Sequence, residues 1–154
     1  MNPCIIRFAQ ADDYEAVEAI MKQVQALHVL WRPDIYKEAD PVLSYSDFCE
    51  AVTDQAFLVA ELDHQVVGLL SFLRRHVASD KQVTRDVLYI ENMAIDKAHR
   101  GTGIGHQFFD FIRKLAQQDH YDGIELQVNA KNTAAYEMYK SYGFIEKSIN
   151  MELL

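Results

Sequence analysis

Gly101, Gly103 and Gly105 stand at alternate positions directly after Arg100, within the stretch "AHRGTGIGHQFF" from Ala98 to Phe109. Residues without a Cβ let successive backbone N–H groups converge. When a helix follows, its first amides add partial positive charge, and the two together suit a phosphate. Spacing narrows the choice of ligand. A nucleoside-triphosphate loop carries a lysine and a hydroxyl residue after its last glycine, whereas His106 and Gln107 follow Gly105 here. A dinucleotide loop reads GxGxxG, and in this chain the third glycine comes one residue too early. What remains is an R-x-x-G-x-G loop, Arg100 through Gly105, that follows an apolar run and opens an amphipathic segment.

Other chemistry is excluded or weakened by composition. The two cysteines, Cys4 and Cys49, have no CxxC spacing and no neighbouring histidine, so they predict neither a disulfide framework nor a metal site and read as small core residues. Fifteen Lys and Arg against twenty-three Asp and Glu give a net charge of −8. That balance opposes nucleic acid and anionic membrane and favours cationic partners, so an anionic ligand must be held by local geometry. No signal-peptide pattern opens the chain, and the longest nearly apolar run, Val66 to Leu73, is far short of the ~20 residues of a membrane span. A soluble, cytoplasmic chain is expected, with a homodimer left open.

Stepping along the 154 residues, the length of one domain, the elements that must position this loop follow from periodicity. "IIRF", Ile5 to Phe8, reads as a strand, and Asp12 with Glu15 as an acidic capping box opening a helix. Val17, Ile20, Met21, Val24 and Leu27 give that helix one buried stripe. "LHVLWRPDIYK" then joins it to a shorter helix expected from about Ser46 to Thr53. Three β-branched and aromatic runs, "AFLVAEL", "QVVGLLSFLRRHV" and "VTRDVLYIENMAI", read as an antiparallel meander. After the glycine loop, Ile104, Phe108, Phe111 and Leu115 mark one helix face. "DGIELQV" reads as a strand, "NTAAYEMYKSYG" as a helix closed by Gly143, and "FIEKSINMELL" as a last strand.

On two segments the sequence resembles the GNAT family of N-acetyltransferases. "YIENMAIDKAHRGTGIG" is similar to that family's acetyl-CoA motif. "LQVNAKNTAAYEMYKSYGF" is similar to its second signature, N-x-x-A-x-x-x-Y-x-x-x-G-F, met by Asn132, Ala135, Tyr139, Gly143 and Phe144. The resemblance covers the element order of the whole chain. It implies an α/β (α+β) fold in a single domain, residues 1–154, with a central, twisted, mixed and mostly antiparallel sheet flanked by helices.

It also implies roles. The backbone of Gly101, Thr102, Gly103, Ile104, Gly105 and His106, with Arg100, would cradle the pyrophosphate of acetyl-CoA, while His99 departs from the family's usual arginine or glutamine. Met93, Ala94 and Ile95 would pair with the pantetheine arm, one amide polarising the thioester carbonyl. Asn132 would hydrogen-bond the co-substrate, or simply cap its helix. Tyr139 matches the general acid that protonates the departing thiolate; packing is the other reading of a tyrosine shared between Tyr136 and Tyr142 on one short helix. Where relatives that acetylate protein N-termini carry a glutamate, this chain has Gln127, which cannot take a proton. Glu91 is the alternative base, or else an ordinary strand glutamate. On the acceptor side, His28, Trp31 and Tyr36 would line an aromatic wall for an amine, or cap the core. The expected activity is direct acetyl transfer to a primary amine of a small molecule or peptide, without a metal. A protein N-terminal or lysine acetyltransferase and a non-catalytic acyl-CoA sensor are the alternatives.

Overall fold

Alternation along the strands decides the layers. In the computed structural model, which describes residues 3–154, Phe57 and Val59 of β2 (Phe57–Leu62) face one side of a sheet, and Leu58 and Ala60 face the other. Both faces are covered. On one, Val17, Ile20 and Met21 of α1 (Tyr14–Trp31) and Phe48 of α2 (Tyr45–Thr53) bury against Phe57, Val59, Leu69 and Ala94. On the other, Ile104, Phe108, Phe109 and Ile112 of α3 (Ile104–Gln118) bury against Leu58, Leu70, Phe72, Leu88 and Ile90. Each fully buried large side chain contributes about 1.5–3 kcal/mol relative to exposure, so the two cores together fix the helices to the sheet.

The sheet runs in chain order: β1 (Ile5–Phe8), β2, β3 (Gln65–Ser79), β4 (Gln82–Ile95) and β5 (Gly123–Leu126). The first four pair antiparallel and β5 pairs parallel to β4. A parallel neighbour needs a crossover, which α3 supplies. The β2–β3 turn places Asp63 and His64 at φ 50° and 63°, the two left-handed residues of a tight hairpin. α4 (Thr133–Tyr142) follows β5, and Gly143 ends it at φ 124°. Among the described residues no helix is long and apolar enough to cross a membrane.

Several local expectations are corrected. The capping box is Gln10 with Asp13, whose carboxylate accepts from the Gln10 N–H at 2.7 Å, rather than Asp12 with Glu15, because a short 3₁₀ turn over Ala11–Asp13 precedes α1 and moves the box two residues upstream. Arg7 then clamps Asp13 with two hydrogen bonds of 2.9 Å. α1 extends through Trp31, so His28 and Trp31 lie on its last turn and not in the connection. On α3 the fully buried stripe is Ile104, Phe108 and Ile112 with Phe109, while Phe111 and Leu115 sit at its half-buried margin. The last strand is absent: residues 144–154 join no sheet among the described residues, and Ile149, Met151 and Leu153 are 80%, 87% and 99% exposed. The alternation is present, but no neighbouring strand is placed to pair with it.

Candidate active site

Where β4 loses its neighbour, a wedge opens. β5 pairs with β4 only over Val87–Ile90, so residues 91–95 keep β3 on one side and have no strand on the other. Phe72 pairs with Ile90 and Ser71 with Asn92, which leaves Glu91 as the extra residue of a β-bulge. Asn92 pins the distortion by donating to Ser71 Oγ at 3.0 Å. The Glu91 carboxylate is exposed and makes no ion pair or hydrogen bond among the described residues, so it is not a salt-bridged strand glutamate. The Asp96 N–H donates to Val67 O on β3 at 2.8 Å, and strand alternation therefore turns the Met93 and Ile95 amides toward the open edge. Ala94 is buried between the two, beneath α1 and α2.

The glycine loop begins at the end of that edge. Gly103 caps α3 at φ 86°, a conformation that disfavours any Cβ, and Gly101 is similar at φ 76°. Among the described residues the first-turn amides of Ile104, Gly105 and His106 have no acceptor, since the first return bond runs from Gln107 N to Gly103 O. Such orphaned amides, with the helix dipole behind them, hold an anion. The loop's own side chains shape it. Arg100 Nε donates to Ile95 O at 3.1 Å, Thr102 Oγ1 donates to His99 O at 2.6 Å, and the His99 ring meets Asp96 Oδ2 at 3.0 Å. His99 thus acts inside the loop's framework.

Gly105 has a different reason to be glycine than its neighbours. A Cβ there would lie 2.6 Å from Met138 Sδ and 3.2 Å from Met93 Cε, so its hydrogen lets α3, α4 and β4 converge. Met138 is a residue that sequence reasoning passed over; its position one helical step before Tyr139 was the available signal.

The three tyrosines of α4 differ in what their hydroxyls do. Tyr136 donates to Glu146 and Tyr142 donates to Asp110, the latter at 2.6 Å. The Tyr139 ring packs on Phe109 and Phe144, both 5.8 Å between centroids, and its hydroxyl has no hydrogen-bond partner among the described residues. Burial pushes the Tyr139 phenol above its ordinary value, which keeps it protonated. Asn132 Oδ1 accepts from Ala135 N at 3.2 Å, so this asparagine caps α4. Gln127 is exposed just beyond β5.

At the end of α1, where the acceptor side is expected, the His28 ring lies 5.9 Å from that of Trp31 and 4.9 Å from that of Tyr36, tilted to both. Burial lowers the His28 imidazole below its ordinary value and favours its neutral form. The segment that follows this cluster is fastened to α1 by contacts not visible in the sequence pattern. Along one face of α1, Tyr14 donates to Leu43 O (2.7 Å) and buried Glu18 accepts from Val42 N and Leu43 N (3.0 and 2.9 Å). Lys22 pairs with Asp40 (3.0 Å) and Gln25 donates to Lys37 O (2.7 Å). Helical spacing of four, four and three thus fastens residues 37–43 as a strap along α1. From across the wedge, Lys131 Nζ donates to Trp31 O at 3.0 Å.

Known proteins share this fold. The profile of the acetyltransferase (GNAT) family matches residues 21–144. Streptothricin acetyltransferase of Escherichia coli is 26% identical over 98 residues, 64% of this chain and 52% of that protein. N-acetylaspartate synthetase of Xenopus tropicalis is 32% identical over 88 residues, 57% of this chain and 30% of that protein. The matched part of this chain therefore spans about half, or less, of these curated relatives. Among solved structures, a mutant of the Bacillus halodurans protein BH1408 superposes with a TM-score of 0.90 at 30% identity, over 97% of this chain and 98% of that one. The aminoglycoside acetyltransferase AAC(6')-Iy, solved with a CoA bisubstrate analogue, shares the fold at a TM-score of 0.76 and 15% identity, over 99% and 98% of the two chains. With the family profile covering residues 21–144, most of its length, this chain belongs to the acetyltransferase (GNAT) family.

Proposed function

We propose that residues 1–154 act as a single N-acetyltransferase domain that moves an acetyl group directly from acetyl-CoA to a primary amine of a small molecule or peptide. The observation that carries this reading is the open edge of β4. Among the described residues, a strand with unpaired amides runs from the bulge at Glu91 into a helix N-terminus whose first three amides have no acceptor. That line of donors fits an amide-bearing pantetheine arm followed by a pyrophosphate. Acetyl-CoA supplies an activated acetyl thioester when bound.

The chain's residues do the rest. The Met93 or Ile95 N–H donates to the thioester carbonyl oxygen as it gains charge. Arg100 and the amides of Gly101 to His106 hold the pyrophosphate, and Asn132 caps the helix that presents Tyr139. Glu91 accepts a proton from the incoming ammonium, whose pKa is about 10 if it resembles lysine, and frees the nitrogen lone pair. The freed nitrogen attacks the thioester carbon; as the C–S bond breaks the Tyr139 hydroxyl donates its proton to sulfur, and the second proton shed by the acylated nitrogen restores the phenol. His28, Trp31 and Tyr36 receive the acceptor, and the net charge of −8 draws cationic amines toward them. Relatives named for streptothricin and aminoglycoside acetylation support a small-molecule amine over a protein lysine. A second copy of this chain is the proposed partner for the exposed apolar side chains of residues 145–154.

The test is calorimetric titration with acetyl-CoA, ATP and NAD, followed by a panel of primary amines monitored by thiol release. Acetyl-CoA alone should bind, and at least one amine should release thiol. Binding without turnover on any amine would leave the acyl-CoA sensor standing and reject the enzyme.

A further inference from the structure

The side chain of Gln23, on α1, reaches out of its own helix and closes a bidentate clamp on the segment that leads into the glycine loop. Its Nε2 donates to Asp96 Oδ1 at 2.7 Å, and its Oε1 accepts from Lys97 N at 3.0 Å. Asp96 is fully engaged around that clamp. Its Oδ2 accepts from Ala98 N at 3.3 Å and meets His99 Nδ1 at 3.0 Å, while its carbonyl accepts from His99 N at 2.8 Å. Next along the chain, the His99 carbonyl accepts from Thr102 Oγ1 at 2.6 Å, immediately before the left-handed Gly103. One side chain from α1 therefore stands at the start of a continuous run of hydrogen bonds that determines where residues 96–102 lie. A glutamine is well suited to this place. It offers one donor to a carboxylate and one acceptor to an amide in a fixed geometry, which neither a carboxylate nor an ammonium provides. The charges facing the clamp are those of Asp96, its partner His99 and the exposed Lys97.

We propose that Gln23 is a positioning residue for the pyrophosphate: it touches neither substrate, and through Asp96 and Lys97 it holds the glycine loop in its anion-binding shape. α1 also carries His28 and Trp31, five and eight residues further on, so the same helix orders the acceptor wall and the co-substrate loop. The inference rests on the acetyl-CoA reading of that loop. It gives a distinctive expectation, because a clamp on the loop matters only to the part of the ligand that the loop holds.

The experiment compares wild type with Gln23→Ala and Gln23→Glu, using calorimetry with acetyl-CoA and with acetyl-pantetheine, which has the thioester arm but no pyrophosphate. Loss of two partly exposed hydrogen bonds should weaken acetyl-CoA by about tenfold in Gln23→Ala. Gln23→Glu, which sets a second carboxylate against Asp96, should lose at least as much. Acetyl-pantetheine affinity should change by less than about twofold, and amine KM at saturating acetyl-CoA should hold. Thermal melts accompany each variant, and a Gln23→Asn variant that shortens the reach should fall with Ala if geometry is what matters. Equal losses for both ligands would make Gln23 a general structural residue and overturn the proposal, as would unchanged acetyl-CoA affinity. Wild type that binds neither ligand would instead reject the acetyl-CoA reading itself.

Discussion

Replacing Tyr139 by phenylalanine separates chemistry from packing at one position. The substitution removes a hydroxyl that has no hydrogen-bond partner among the described residues and leaves the ring, with its 5.8 Å neighbours Phe109 and Phe144, in place. No buried group is orphaned, so stability should stay within about 0.5 kcal/mol of wild type by urea unfolding. Turnover should behave differently. Loss of a general acid lowers the rate by roughly 10²–10⁴, equivalent to about 3–5 kcal/mol of barrier. Acetyl-CoA affinity by calorimetry should hardly move, because the phenol acts on a sulfur that leaves only in the transition state. The pH dependence has a definite sign. Burial raises the Tyr139 phenol above its ordinary value near 10, so the acid form persists through neutral and mildly alkaline pH. Wild-type kcat should therefore show no falling limb from this group up to pH 9. Thiol-release assays at saturating acetyl-CoA give kcat for both proteins. A variant that keeps its turnover within twofold would show that Tyr139 only packs, and a tenfold loss of acetyl-CoA affinity with kcat intact would make it a binding residue.

Four further outcomes follow from the same geometry. Glu91→Gln should lower kcat/KM most near neutral pH and recover part of the loss as pH rises and free amine accumulates, while Gln127→Ala changes little; an unaltered Glu91→Gln profile would transfer the proton to water or to His28. Gly103→Val forces a β-branched residue to φ 86°, where about 1–3 kcal/mol of backbone strain displaces the loop although a Cβ would meet nothing within 4 Å; acetyl-CoA binding should disappear in a protein that still melts cooperatively, and retained affinity refutes the loop assignment. Glu18→Ala leaves the Val42 and Leu43 amides without their acceptor and should cost about 1–3 kcal/mol by denaturant unfolding, with a change below 0.5 kcal/mol arguing against the strap. Light scattering should find a dimer that Ile149→Asp with Met151→Asp dissociates without lowering the melting temperature; a monomeric wild type rejects the self-association surface.

Residue type and spacing were enough to place most of the elements and the family. Continuous β-branched and aromatic runs located β2, β3 and β4, whose central residues are buried on both faces of the sheet, and helical repeats located α1 and α3 by the one face each buries. The glycine loop and the Asn132-to-Phe144 signature were equally legible, since left-handed turns and caps depend on a few neighbouring residues. Tertiary structure decided what depends on distant partners. The bulge that frees Glu91 exists because Ser71 and Phe72 shift register against β4, and nothing in "YIENMAI" announces it. The reason Gly105 lacks a side chain is Met138, more than thirty residues away. Tyr136, Tyr139 and Tyr142 look alike in sequence, and they part only when Glu146 and Asp110 take two of the hydroxyls and leave the third without a partner. The Gln23 clamp and the Glu18 strap close across 73 and 24 residues, by polar side chains whose helical positions carry no apolar signal. The C-terminal alternation shows the opposite case. A strand pattern was present, but strand formation needs a partner to satisfy its backbone, and residues 144–154 have none among the described residues.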